Sequence, residues 1–149
     1  MNFQPSESAV RAWARLMKAQ RIALGAIEQA LKSAGLPPLA WYDALLELER
    51  AGAEGLRPFE LERAMLLEQY NLSRLIDRME KADYVERRPC AEDGRGQVVA
   101  ITPAGRVIRK RMWPVYAAAI ESALASHLSE KQVRDLDALL GTLIDGSSD

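Results

Sequence analysis

Residues 57–105, RPFELERAMLLEQYNLSRLIDRMEKADYVERRPCAEDGRGQVVAITPAG, decide the fold of this chain. Pro58 to Met65 has the length and spacing of a short amphipathic helix. Glu68 to Ala82 reads as a second helix, with Leu72, Leu75, Ile76 and Met79 at i, i+3, i+4 and i+7. That spacing gathers the apolar side chains on one face and leaves Gln69, Tyr70, Asn71, Ser73, Arg74 and Arg78 on the others. Two β-prone runs follow, Tyr84 to Arg88 and Val98 to Thr102. Between them Pro89 to Gln97 is dense in turn formers, with Arg95 near its apex. Helix, turn, helix and ribbon in that order predict a winged helix-turn-helix. A short helix backing a second one that shows polar and Arg side chains is what a DNA major groove requires of a reader.

On either side of this stretch the chain reads as helix. Residues 7–34 form one long helix, capped by Ser6 and ended by Gly35-Leu36-Pro37-Pro38. Ala12, Leu16, Ala19, Ala23, Ala26, Ile27, Ala30 and Leu31 run along it as a packing stripe. At about 40 Å, such a helix is too long for one small winged domain to cover. A second helix over residues 39–51 carries Trp41, Leu45, Leu46 and Leu48. After Thr102, an N-cap with Pro103 at the first helical position, a helix runs to about Ser126 with Ile108, Met112, Val115, Ala119 and Ala123 on one side. The last helix opens on Ser129-Glu130-Lys131-Gln132, a capping box, and shows Val133, Leu136, Leu139, Leu140, Leu143 and Ile144 on one face. The wide apolar faces of the first and last helices need a partner, and the same pair from a second subunit would supply it in a two-fold dimer. The fold class expected is mainly α: a winged helix-turn-helix with a small two-stranded wing and long N- and C-terminal dimerisation helices.

Composition bounds the function. A chain of 149 residues with 48% hydrophobic content is one domain or one intimately joined unit. It has no apolar run near the length of a membrane span, and MNFQPSESAVRAWARL lacks the apolar core of a signal peptide. A single cysteine gives no internal disulfide and fits a reducing cytoplasm. His127 is the only histidine, so neither a metal site nor a catalytic triad is expected, and His127 itself reads as a helix-end surface residue. With no nucleotide loop or nucleophile elbow either, an enzyme, a cofactor and a metal are all unexpected. The formal net charge of −1 looks wrong for a DNA binder, but its distribution does not. Residues 74–111 hold ten Lys/Arg against six Asp/Glu, whereas residues 112–149 hold two against six. Local charge, not the overall balance, sets attraction to phosphates.

Residues 57–105 resemble the MarR family of bacterial transcription regulators. The resemblance is carried by Glu60-Leu61, Leu72 to Glu80 (LSRLIDRME), Tyr84 to Arg87, the wing Asp93-Gly94-Arg95, and Val99 to Gly105 (VAITPAG). It implies one unit over 1–149, with 36–105 as the DNA-binding region and 1–35 with 106–149 as a helical dimerisation region. Two departures stand out. The turn between the helices usually carries a Gly and a Ser or Thr cap, whereas here it is Leu66-Leu67-Glu68. Glu68 is a weak N-cap, and its carboxylate would repel a phosphate. Peroxide-sensing members carry their reactive cysteine in the first long helix, where this chain has none. Cys90, near Arg87 and Arg88, reads as an inert small residue before it reads as a redox group.

The expected DNA contacts are Gln69, Tyr70, Asn71, Ser73, Arg74 and Arg78, with Asn71 or Gln69 on adenine and Arg74 on guanine. Arg95 is expected in the minor groove. Asp77 and Arg78 are expected to bridge along the reader helix and meet phosphate. Asp93 is expected, on the family pattern, to hold the wing by pairing with Arg87. The resemblance places effectors where the flanking helices meet the reader, which singles out Trp13, Arg15, Trp41, Trp113 and Tyr116. Tyr42 and Arg11 join them as candidates, although core packing explains each aromatic equally well. The function expected is a cytoplasmic, homodimeric repressor that binds a pseudo-palindromic operator in double-stranded DNA and is released by a small aromatic or acidic molecule. Two alternatives stay open: a redox-responsive regulator using Cys90, and a winged-helix protein-interaction module. Arg74, Arg78 and Arg95 on one side weigh against the latter.

Overall fold

The computed structural model describes residues 3–90 and 96–147. Among them the order is α1 (Glu7–Ser33), α2 (Leu39–Ala51), α3 (Pro58–Ala64), α4 (Leu72–Lys81), β1 (Val85–Pro89), β2 (Gln97–Ile101), α5 (Pro103–Ala123) and α6 (Glu130–Gly146), with 3-10 turns at Gly52–Glu54 and Ala125–His127. This is the mainly helical winged helix-turn-helix that the sequence predicts. β1 and β2 pair antiparallel, with Val85 opposite Ile101 and Pro89 opposite Gln97. Leu56 adds a bridge on the other side of β2: its N–H donates to the Val99 carbonyl at 2.9 Å, and its carbonyl accepts from Val99 N–H at 2.7 Å. Gly55 makes that approach possible, because a Cβ there would overlap the Val99 carbonyl.

The chain divides into two compact units, residues 31–115 and residues 1–30 with 116–149. In the first, α2 packs on β2, on α3 and on the Gly52–Glu54 turn, while α4 packs on α3 and β1. The largest fully buried side chains, Leu31, Leu45, Leu48, Leu61, Ile76, Met79, Val85, Val99 and Met112, all belong to this unit. In the second unit α6 buries no residue, and α1 leaves Val10, Trp13, Leu16, Met17 and Ile22 exposed.

Helix ends follow local chemistry. Ser6 Oγ accepts from Ala9 N–H at 3.0 Å to start α1. α1 ends with Gly35 N–H on the Lys32 carbonyl and Leu36 N–H on the Leu31 carbonyl, Gly35 lying at φ 70°. Ser129 and Gln132 form the expected capping box at 3.1 and 2.9 Å. α3 begins with the Glu60 carboxylate accepting from Arg57 N–H at 2.9 Å.

One boundary differs from the sequence reading. The second helix of the motif begins at Leu72, not Glu68, and its cap is Asn71, whose Oδ1 accepts from Arg74 N–H at 3.0 Å. Asn outranks Glu at this position because its short side chain reaches the free amides of the first turn. Residues 66–70 are therefore a connecting turn.

Three element ends meet at the foot of the wing. α4 closes with Asp83 N–H on the Glu80 carbonyl and Tyr84 N–H on the Met79 carbonyl, Asp83 lying at φ 67°. The Thr102 hydroxyl donates to the Asp83 carbonyl at 2.6 Å and accepts from Gly105 N–H at 3.0 Å, capping α5. Thr102 N–H donates to the Tyr84 carbonyl at 3.1 Å. A Cβ on Gly105 would overlap that same Tyr84 carbonyl. The run Ile101-Thr102-Pro103-Ala104-Gly105 is thus a steric and hydrogen-bonding requirement.

Candidate nucleic-acid interface

α4 buries Leu75, Ile76 and Met79 against the core and turns Ser73, Arg74, Asp77, Arg78 and Lys81 outward. At 100° per residue these five occupy one side of the helix. Tyr70, in the turn just before it, is fully exposed; Gln69 is half-buried and Asn71 is exposed. The structure therefore brings Tyr70, Asn71, Ser73, Arg74 and Arg78 to one end and one side of this helix. The cap contact uses the Asn71 side-chain oxygen and leaves its amide NH2 to donate.

The two carboxylates on α4 are not bare. Arg87, on β1, donates from Nη2 to Asp77 Oδ1 and from Nη1 to Glu80 Oε1, each at 2.6 Å. The Asp77 hydrogen bond, aided by the charge of Glu80, outweighs partial burial and holds the Arg87 guanidinium above its usual pKa. Asp77 is thus bridged to Arg87 on β1 rather than along the reader helix as expected from sequence. Arg74, Arg78 and Lys81 form no ion pair among the described residues. The exposed side of α4 consequently presents three uncommitted cations, with its acidic groups neutralised from behind.

The wing tip, with Asp93 and Arg95, lies outside the described residues. The expected Asp93–Arg87 pair falls there too, and the partners of Arg87 that are described are both on α4. At the wing base Cys90 N–H donates to the Gly96 carbonyl at 3.3 Å. The Cys90 thiol is buried and accepts from Arg57 Nη2 at 3.2 Å, a packing and hydrogen-bonding role. Arg88 pairs with Glu86 at 2.6 Å and donates to the Ala53 carbonyl at 2.7 Å, which ties β1 to the turn after α2.

The aromatic candidates sort into separate groups. Trp41 meets Tyr84 edge-on with ring centres 5.9 Å apart. Trp113 stacks on Tyr42 at 6.1 Å, and the Arg109 guanidinium carbon lies 5.9 Å from the Tyr42 ring centre. Burial lowers the pKa of Arg109, but its contacts with Glu49 and Tyr42 more than offset this. Glu49 also draws Arg106 to 3.5 Å. Trp13, Arg15 and Tyr116 belong to the other unit, where Trp13 and Arg15 are exposed and Tyr116 is half-buried.

Sequence reasoning missed Asp43. It sits on α2, is 5% exposed, and accepts hydrogen bonds from the amides of the turn before α4. A lone acidic residue inside an otherwise apolar helical stretch, Tyr42-Asp43-Ala44-Leu45, was the available signal.

Among the described residues no helix is long and apolar enough to cross a membrane, and no cluster of His, Cys, Asp and Glu could hold a metal ion. The profile of the MarR family matches residues 34–96. The multiple antibiotic resistance protein MarR of Salmonella typhimurium is 26% identical over 103 residues, covering 69% of this chain and 70% of that protein. The HTH-type transcriptional regulator PecS of Dickeya dadantii is 29% identical over 101 residues, covering 67% of this chain and 60% of PecS. Among solved structures, Sco3205, a MarR family transcriptional regulator from Streptomyces coelicolor determined in complex with DNA, superposes with a TM-score of 0.87 at 22% identity, covering 100% of this chain and 93% of Sco3205. AbsC, another MarR family regulator from Streptomyces coelicolor, gives 0.80 at 24% identity, covering 97% of each chain. With the exposed basic side of α4, a wing strand that neutralises its acidic residues, and this set of relatives, the chain has the fold of MarR family transcription regulators and is similar to that family over residues 34–96.

Proposed function

We propose that the protein is a homodimeric repressor that reads a pseudo-palindromic duplex in the cytoplasm and is released by a small aromatic or acidic molecule. The observation that carries the DNA contact is the exposed side of α4, where Arg74, Arg78 and Lys81 have no ion-pair partner among the described residues while Arg87 neutralises Asp77 and Glu80. α4 enters the major groove, where Asn71 and Gln69 suit adenine and Arg74 suits guanine. Tyr70, Ser73 and Arg78 contact the backbone around it, and Arg95 on the wing enters the minor groove. Residues 36–105 do the reading. Residues 1–35 and 106–149 do the pairing, since Trp13, Met17, Leu139, Leu143 and Ile144 are exposed on helices that bury almost nothing within one chain. A two-fold dimer sets its two reader helices roughly 34 Å apart, one turn of the duplex. For the effector, the Tyr42–Trp113 stack offers an aromatic surface beside Arg109, with Trp13, Arg15, Trp41 and Tyr116 as further candidates.

Selection of duplexes from a random pool tests this directly. An inverted repeat should be enriched, and its binding should weaken steeply as salt rises, because each neutralised phosphate releases counterions. Enrichment of no sequence, or binding that ignores salt, refutes the reading. Release is tested separately by titrating aromatic carboxylates while following Trp fluorescence with and without the selected duplex. An effector must bind more weakly in the presence of DNA by the same factor that it weakens DNA binding.

A further inference from the structure

A buried carboxylate needs donors to replace the water it has lost. Asp43, on α2, finds them in the turn between α3 and α4. Leu66 N–H donates to Oδ1 at 3.0 Å and Leu67 N–H to Oδ2 at 2.7 Å, so both carboxylate oxygens are engaged. No other hydrogen bond holds residues 66–70 among the described residues. Apolar burial does little to hold the turn: Met65 is packed inward and Leu67 is half-buried, but the Leu66 side chain is 83% exposed. The turn also lacks the Gly and the Ser or Thr that would shape it locally. Its course is therefore set from α2, more than twenty residues earlier in the chain.

We propose that Asp43 is the positioning residue of the DNA-reading surface. By holding the Leu66 and Leu67 amides it sets where Gln69, Tyr70 and the first turn of α4 stand before DNA arrives. This role rests on α4 being the DNA reader. Asp43 itself does not touch DNA: it is buried, and both its oxygens face the turn amides. Binding energy spent on fixing a mobile turn is lost to affinity, so a turn fixed in advance favours the sequence-specific complex. Non-specific attraction, which depends on Arg74, Arg78 and Lys81 facing phosphate, does not need the turn to be fixed.

The test uses the full-length protein, a duplex selected from a random pool by the wild type, and a scrambled duplex of the same composition. Asp43→Asn keeps the shape but replaces one acceptor oxygen with an NH2 donor, so one turn amide faces a donor. Affinity for the selected duplex should fall by about tenfold or more, the effect of one lost specific contact. Affinity for the scrambled duplex, and its dependence on salt, should stay within about twofold. An equal loss on both duplexes, or no loss on either, overturns the positioning role. Should Asp43→Asn fail to fold, amide hydrogen exchange in the wild type decides instead. Leu66 and Leu67 should exchange about tenfold or more slowly than Gln69 and Tyr70 in the same turn, and equal rates overturn the role. If selection enriches no duplex, it is α4 as reader that fails, and the exchange rates still judge Asp43 separately.

Discussion

Replacing Arg87 with Ala should weaken DNA binding far more than it weakens the fold. Two consequences of the substitution differ in size. The ion pairs it removes are partly solvated, with side-chain exposures of 26% for Arg87, 65% for Asp77 and 42% for Glu80. Such pairs contribute about 0.2–1 kcal/mol each, so the fold should lose about 1 kcal/mol and its Tm should drop by about 2–4 °C. The interface loses more. Arg74, Arg78, Lys81 and Arg87 against Asp77 and Glu80 leave +2; without Arg87 the figure is +1, and both carboxylates are bare. A bare carboxylate about 8 Å from a phosphate is repelled by about 0.5 kcal/mol in bulk water and about 2 kcal/mol at an effective dielectric near 20. Two of them should cost about tenfold in affinity or more at low salt. Fluorescence anisotropy on the selected duplex measures this, and urea melts measure the fold. The informative control adds Asp77→Asn and Glu80→Gln to Arg87→Ala. If Arg87 acts by neutralising these two groups, the triple variant, at +3 on this side, binds at least as tightly as the wild type at +2. A triple variant that binds no better than Arg87→Ala would refute the electrostatic account and leave Arg87 as a strap between β1 and α4.

Three further outcomes follow from the geometry. Gly105→Ala should cost about 2–3 kcal/mol in urea melts, because the new Cβ overlaps the Tyr84 carbonyl and the backbone must shift; a loss under about 0.5 kcal/mol contradicts this. Asn71→Ala should cost about 1 kcal/mol by removing the cap of α4, whereas Asn71→Asp should keep the cap and still lose operator affinity; unchanged affinity in the Asp variant removes Asn71 from the base contacts. Sedimentation should give twice 16.6 kDa for the full chain, and deleting residues 129–149 should cause aggregation or unfolding; a full-length monomer that binds an inverted repeat tightly rules out the dimer.

Most of the fold was legible because its signals are local. Ser6, Thr102 and Ser129 announce helix starts within three residues of the amides they cap, and Gly35 announces an end. What escaped was set by distant contacts. The start of α4 was misjudged because residues 66–70 are held by Asp43, and no window around Glu68 contains that carboxylate. The Leu56 rung on β2 is one residue long and carries no alternation to detect. Arg87 was assigned a wing partner on family pattern. Its described partners, Asp77 and Glu80, are reached only because the chain reverses between α4 and β1. The exposed polar and basic residues of α4 were legible as types at a spacing; which of its charges are neutralised was not. The aromatic residues looked like one group in sequence, yet Trp41–Tyr84 and Trp113–Tyr42 are separate pairs.

The junction of Asp83, Tyr84, Thr102 and Gly105 bears on how this scaffold could be re-engineered. Four hydrogen-bonding and steric conditions are met there at once, so it tolerates neither insertion nor exchange of its parts. At the opposite end of the ribbon the described residues are joined by the bond from Cys90 N–H to the Gly96 carbonyl. Cutting between Cys90 and Gly96 therefore allows a tip of different length or chemistry to be grafted onto an unchanged frame. If the wing tip reads the minor groove as proposed, that preference becomes a module that can be swapped independently of α4.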